Sequence, residues 1–323
     1  MAKHRMTILG AVHADAMALI EARDDIDVTI VHEAMAPRDE IMEAIRDAHG
    51  INVRTARLEE DMLAEVPDLR IVSRHGVGCD SVAVPHMTSR GLPVAIAAGG
   101  NDRSVAEHTL GMMLHLARNM PGMDQVVRDN DWTVRPTLGN FDLEDRTVLI
   151  VGYGRIGKRV AELALAFGMR VIARDPYVND FAPGIEVAST LEGALAEADI
   201  VTLHVPKNAE TTGIINRDSL AEMRPGTILV NCARGGIADE PAVAEALHSG
   251  HLRSYGCDVY SSEPDTTDNP ILSAPNTLLS PHYAASTPQG MRKMGMISVQ
   301  NVLDCFDGKL KSEMVFNRAE LGW

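Results

Sequence analysis

Apolar residues along the chain follow two periods. Short apolar runs at 6–12 (MTILGAV), 27–34 (DVTIVHEA), 50–55 (GINVRT), 69–76 (LRIVSRHG) and 92–98 (LPVAIAA) read as strands. Between them lie stretches rich in Glu, Ala, Leu and Ile with helical spacing, such as Pro37 to Ala48. Strand and helix in alternation predict a parallel sheet with crossover helices. From Asp102 to Asn119 one longer helix is predicted, with Val105, Leu110, Met113, Leu114 and Ala117 as its apolar positions. A loop containing Pro121, Gly122, Trp132, Pro136 and Gly139 follows. A second alternating region starts at 147–157 (TVLIVGYGRIG) and runs to Tyr283, and a helical pattern covers Ser286 to Phe306. Two such regions predict two domains, and an economical arrangement returns the last helix to the first of them.

The run Val148–Val151 leads into Gly152-Tyr153-Gly154-Arg155-Ile156-Gly157, a strand entering GxGxxG. Gly152 permits the tight turn, Gly154 lets a pyrophosphate approach the backbone, and Gly157 lets the helix pack closely on the strand. The following helix is expected to place Ile156, Val160, Leu163, Ala164 and Phe167 on the sheet. Its N-terminus offers N–H groups and a positive dipole end to phosphates, beside Arg155 and Ile156. A second strand, 169–174, ends at Asp175, 18 residues beyond Gly157. An acid there bonds ribose hydroxyls and repels a 2′-phosphate, which favours NAD over NADP. Arg174 complicates that reading, because a neighbouring guanidinium tolerates the phosphate.

Composition adds exclusions. The chain has 323 residues, 30 basic against 45 acidic, and a formal charge of -15. No basic run is present, so nucleic acid and an anionic membrane surface are not expected partners. A small anionic substrate is still compatible, since a local Arg binds it by short-range charge-assisted hydrogen bonds. No apolar stretch approaches the roughly 18 residues of a membrane span. The basic start and short apolar run at the N-terminus stop at His13 and Asp15, which reads as a first strand rather than a signal peptide. Cys79, Cys232, Cys257 and Cys305 form no CxxC pair and read as thiols in a reducing compartment. A cytoplasmic protein without a bound metal is expected.

Three polar residues end apolar strands of the second region: Arg234 after TILVNCA, Glu263 after YGCDVYSS, and His282 after TLLSP. Together, beyond the carboxyl ends of strands in a nucleotide-binding sheet, they point into the crevice where ligands bind. Oxidising a C2 alcohol removes a hydride and a proton. An imidazole takes the proton, and a carboxylate on its other nitrogen fixes the tautomer and stabilises the imidazolium. A guanidinium binds a substrate carboxylate and polarises the C2 oxygen.

In the order and spacing of GVGCDSV (76–82), NDRSVAEHTLG (101–111), GYGRIGKRVA (152–161), HVPKNAETTGIIN (204–216), NCARGGIADE (231–240), CDVYSSEP (257–264) and SPHYAAS (280–286), the chain resembles the D-isomer-specific 2-hydroxyacid dehydrogenases over nearly its whole length. The resemblance implies two doubly wound α/β parallel-sheet domains around a cleft. One is a flavodoxin-like substrate domain (1–100 with 286–323) and the other a Rossmann nucleotide domain (101–285). It implies Arg234, Glu263 and His282 as the catalytic set, NAD as cofactor, a small 2-hydroxy or 2-keto acid as substrate, and a homodimer.

His204, Val205 and Pro206 are then expected around the adenine, Thr211 at the cofactor, Cys232 and Ala233 beside the nicotinamide, and Asp258 near its carboxamide. Arg54, Thr55, Gly76, Val77, Gly78 and Asn101 are expected to contact substrate. Arg54 and Arg57 would share one face if the segment after residue 53 were helical. The sequence departs from the family's usual pattern at His75, where relatives often have a small residue, and at Tyr283-Ala284-Ala285, where Gly-Gly is frequent. The chain ends at Trp323, so the C-terminal regulatory domains of longer phosphoglycerate dehydrogenases are not expected. Glu263, where formate dehydrogenases carry Gln, argues against formate. An NAD-sensing corepressor or scaffold of the same fold is the non-catalytic alternative.

Overall fold

The computed structural model describes residues 3–32, 36–137 and 139–323. Glu33 and Ala34, at the end of the second expected strand, and Leu138, in the expected loop, lie outside them. Two compact units emerge, Met1–Asn101 with Ser286–Trp323, and Asp102–Ala285.

The first unit runs β1 (His4–Leu9), α1 (Ala14–Glu21), β2 (Ile26–Val31), α2 (Arg38–Ile45), β3 (Gly50–Val53), α3 (Glu60–Ala64), β4 (Ile71–Arg74), α4 (Val84–Ser89) and β5 (Val94–Ile96). Its sheet is parallel in the order β2-β1-β3-β4-β5, the flavodoxin-like order. Alternate strand residues go to opposite faces, and both faces are covered. Leu9, Ile51, Val53, Val72 and Val94 pack on one side, and Met6, Ile8, Ile71 and Ala95 on the other. Burial on both faces is why these strands read as continuous apolar runs.

The second unit begins with α5 (Asp102–Arg118) and α6 (Met120–Arg128). It continues through β6 (Thr147–Val151), α7 (Arg155–Ala166), β7 (Arg170–Arg174), β8 (Ile185–Val187), α8 (Leu191–Leu195), β9 (Ile200–Leu203), α9 (Arg217–Glu222), β10 (Thr227–Asn231), α10 (Glu240–His248), β11 (Leu252–Cys257) and β12 (Thr277–Leu279). The order is β12-β11-β10-β9-β6-β7-β8, all parallel, so the sequence runs outward in both directions from β6 and β9. That reversal is the topological switch point of a Rossmann sheet. Val148 and Ile150 face one core with Met113 of α5, and Leu149 and Val151 face the other. The chain then enters α11 (Pro288–Phe306), which packs on α1, β3, β4 and β5 in the first unit.

Three local expectations fail. Residues Met120–Arg128 form a helix rather than a loop. Asn119, left-handed at φ 45°, ends α5, and Pro121 sits in the first turn of α6, where its missing N–H costs nothing. Phe167 is the C-cap of α7 and 42% exposed, so it is not part of the buried stripe. The segment after Val53 is not helical until Glu60, so no helix face joins Arg54 and Arg57.

Candidate active site

In a parallel sheet all carboxyl ends lie on one edge, and in the second unit that edge gathers most of the predicted residues. Gly152 follows β6, Asp175 follows β7, His204 follows β9, Arg234 follows β10, Glu263 follows β11, and His282 follows β12.

The turn after β6 is built for its glycines. A Cβ on Gly157 would lie 2.1 Å from the Gly152 carbonyl oxygen. Gly152 has φ +97°, and a Cβ there would meet the His204 carbonyl carbon and oxygen at 2.7 Å. Gly154 faces open space. It is the N-cap of α7 with no side-chain cap, so the first-turn N–H groups are available to an anion. Arg155 is exposed and Ile156 half-buried beside them. Asp175 accepts from Tyr153 N–H at 2.8 Å and Tyr177 N–H at 2.9 Å, one on each oxygen. A carboxylate has about four acceptor sites, so capacity for ribose hydroxyls is left. These residues fit a dinucleotide.

His282 Nδ1 lies 2.7 Å from Glu263 Oε2, and Tyr260 N–H donates to the other Glu263 oxygen at 2.7 Å. Burial pushes the Glu263 carboxyl upward. The hydrogen bonds from His282 and Tyr260, with the charge of Arg234, outweigh it and hold the group below the usual carboxylate range. Nδ1 is engaged, so Nε2 is the nitrogen left to exchange a proton with a ligand. A cavity of about 370 Å³ beside the pair is lined by Tyr260, Glu263, Pro264, Thr266, Leu272 and His282. The Arg234 guanidinium donates to the Ala233 carbonyl at 2.6 Å. The turn carrying it is pinned by buried Asn231, which accepts from Ala233 N–H and donates to the Arg234 carbonyl.

Four residues expected at the cofactor also make side-chain bonds within the protein. Asp258, 1% exposed, spends its carboxylate on the His282 turn, accepting from Ser280 Oγ at 2.5 Å, Tyr283 N–H at 2.8 Å and Ala284 N–H at 3.0 Å. The Cys232 thiol is buried 3.8 Å from Met112 Sδ, and burial pushes it up to about 12, so it is an inert core group. The His204 ring turns inward to Thr202 Oγ1 at 2.9 Å, with burial pushing it down to about 3. The Thr211 hydroxyl closes its own loop on the Pro206 carbonyl and Asn208. Val205 is half-buried and packs into the core, and Pro206 is exposed.

The sequence reading missed Tyr260, Glu240 and Ser280. Tyr260 also donates its hydroxyl to the Ser280 carbonyl at 3.0 Å, so it touches the loops bearing both Glu263 and His282. Glu240, 4% exposed at the start of α10, accepts from Ser261 N–H, Ser261 Oγ and Asn269, and so anchors the loop bearing Glu263. A charged residue heading a helix usually reads as a solvated N-terminal acid. Its burial depends on tertiary structure.

In the first unit, the N–H groups of Gly76, Val77 and Gly78 donate to no acceptor among the described residues. The loop is held by Arg74, whose Nε donates to the Gly78 carbonyl at 2.8 Å and whose Nη1 donates to the Val53 carbonyl at 3.0 Å. Arg54 is half-buried, and its guanidinium makes no hydrogen bond or ion pair among the described residues. Thr55 is exposed. Asn101 is buried, with its side-chain oxygen unpartnered. Among the described residues no group of three or more His, Cys, Asp or Glu is placed to hold a metal, and no helix is long and apolar enough to cross a membrane.

Residues 110–284 match the family described as D-isomer specific 2-hydroxyacid dehydrogenase, NAD binding domain. The chain is 39% identical over 282 residues to D-3-phosphoglycerate dehydrogenase of Mycobacterium tuberculosis, covering 86% of this chain and 53% of that protein. It thus spans about half the length of these curated relatives. It is 33% identical over 305 residues to hydroxypyruvate reductase of Thermotoga maritima, covering 94% of this chain and 98% of that one. Among solved structures, D-lactate dehydrogenase from Aquifex aeolicus, complexed with NAD and lactic acid, superposes with a TM-score of 0.85 at 27% identity, covering 96% and 98% of the two chains. The chain therefore belongs to the D-isomer specific 2-hydroxyacid dehydrogenase family, and its second unit is that family's NAD-binding domain.

Proposed function

We propose that the protein reduces a small 2-keto acid to the 2-hydroxy acid, or runs the reverse reaction, with NAD as cofactor. The observation that carries this is the His282–Glu263 pair at 2.7 Å on the edge of a sheet bearing a dinucleotide turn. Bound NADH supplies the hydride to C2. His282 Nε2 gives its proton to the C2 oxygen, and solvent restores it. Glu263 orients the ring and stabilises the imidazolium. Arg234 leaves the Ala233 carbonyl to pair with the substrate carboxylate and polarise the keto oxygen. On this reading the substrate contacts of the first unit are Arg54, Thr55, Asn101 and the N–H groups of Gly76, Val77 and Gly78.

The proposed substrates are of the phosphoglycerate, hydroxypyruvate and glyoxylate type. NADH oxidation measured with a panel of such 2-keto acids tests the proposal. Turnover of at least one is expected. None turned over, with NADH still bound, would leave the NAD-sensing corepressor or scaffold in its place.

A homodimer is part of the proposal, supported by exposed Met120, Val127 and Trp132 on and after α6. Light scattering in solution tests it, and a monomer at all concentrations rejects it.

A further inference from the structure

Tyr177 and Glu210 lie on different loops, one after β7 and one after β9. These two strands flank β6. The Tyr177 hydroxyl nevertheless donates to Glu210 Oε2 at 2.5 Å. The bond therefore crosses the carboxyl end of β6, the switch point where a dinucleotide's adenosine half enters a Rossmann sheet. Asp175 stands at the Tyr177 end of this bridge, bonded to the Tyr177 N–H. Glu210, and with it Asp175, holds the Tyr177 hydroxyl above its ordinary range. Glu210 is itself oriented, because its N–H donates to Asn208 Oδ1 at 2.9 Å. Arg174, the one feature that tolerates a 2′-phosphate, has no hydrogen bond or ion pair for its guanidinium among the described residues.

We infer that Glu210, held by Tyr177, is a second specificity-determining carboxylate that excludes a 2′-phosphate and offsets Arg174. The inference rests on Asp175 binding the adenosine ribose. One carboxylate against one nearby guanidinium leaves little net charge at the 2′ position. Two carboxylates leave it negative, and like charges brought together on binding are a device of specificity rather than of affinity. Tyr177 and Glu210 are both exposed, so the contribution is that of a solvent-screened charge.

The test is equilibrium binding of NADH and NADPH, followed by nucleotide fluorescence, in wild type, Glu210→Gln, Tyr177→Phe and Asp175→Ala. Glu210→Gln is expected to tighten NADPH binding about two- to fivefold, while NADH changes by much less. Tyr177→Phe, which frees Glu210, should move NADPH in the same direction. If Asp175→Ala tightens NADPH and Glu210→Gln does not, the inference fails while the ribose assignment of Asp175 stands. If neither variant moves NADPH, the ribose assignment fails and takes the inference with it. Equal changes for both dinucleotides in Glu210→Gln would show that Glu210 only shapes its loop, and would overturn the inference.

Discussion

The backbone N–H of His282 donates to the Asp258 carbonyl at 2.8 Å, and His282 itself is left-handed at φ 52°. A non-glycine residue reaches that conformation only where the surroundings enforce it. Asp258 supplies the enforcement, because its carboxylate also holds the next two N–H groups, of Tyr283 and Ala284. The imidazole is therefore aimed by a buried acid on the neighbouring strand end.

Asp258→Asn puts an amide NH₂ where one oxygen now accepts an N–H. A buried donor left unsatisfied costs about 1–3 kcal/mol, so the melting temperature should fall. Turnover should fall further than NADH affinity does, since the His282 turn is what loosens. Unchanged kcat with weakened NADH binding would return Asp258 to a purely cofactor-binding role.

His282→Ala should lower kcat about 10²–10⁴-fold, the usual contribution of a general acid, with NADH binding retained. Glu263→Gln is the sharper variant. Removing the carboxylate removes the stabilisation of the imidazolium, so the basic limb of the reduction profile should move to lower pH. A second effect has a defined sign. Glu263 is held below the usual carboxylate range in the folded protein, so it contributes stability above that range, lost as the pH falls through its folded value. Glu263→Gln should flatten that acid loss. Reduction and melting profiles against pH check both effects, and an unmoved basic limb rejects the pairing.

His75 and His204 are predicted to govern acid sensitivity in a window above that. Both titrate low because burial disfavours the cation, His75 at about 4 and His204 at about 3. In the unfolded chain they take up a proton near the ordinary value of about 6.5. Stability is then full above that value and lost as the pH drops toward their folded values, by up to about 1.4 kcal/mol per pH unit for each ring. The His75 Nε2–H donates to the Met291 carbonyl, 3.2 Å away, so His75→Gln keeps a donor there. Denaturant unfolding between pH 6.5 and 4.5 should show a shallower slope in His75→Gln than in wild type.

The placement of Arg234, Glu263 and His282 on one sheet edge was legible because strand ends are sequence-local. A strand that stops before a polar residue places that residue at the sheet edge whatever the tertiary detail. Gly152 and Gly157 were legible because backbone sterics alone demand them. The side-chain bonds of Asp258, Cys232, His204 and Thr211 within the protein were not. Whether a side chain faces a ligand or its own loop depends on hydrogen bonds to residues as distant as Met112, 120 positions away. Glu240 was missed for the same reason. Pro121 and Gly122 look like helix breakers in sequence, but Pro121 lies in the first turn of α6, where a missing N–H costs nothing. Phe167 continues the apolar period of α7 but falls one residue past its end, at the cap.

Arg54 carries the prediction that decides the substrate class. It follows β3 directly beside Gly10, where a side chain would crowd the Arg54 stem, and its guanidinium is uncommitted among the described residues. Arg57 is exposed on an irregular segment and reads as a solvated charge. If the C1 carboxylate is held as proposed, Arg54 is left for a second anion such as a phosphate, sulfonate or carboxylate at C3. A charge-assisted hydrogen bond of that kind contributes about 1.5–3 kcal/mol, or about 10- to 150-fold in kcat/KM. Arg54→Ala should therefore lose that factor on a 2-keto acid with a distal anion and lose little on glyoxylate. Steady-state kinetics on the two substrates measure the difference directly. Equal losses on both would show that Arg54 reads no distal anion and would point to glyoxylate or hydroxypyruvate instead.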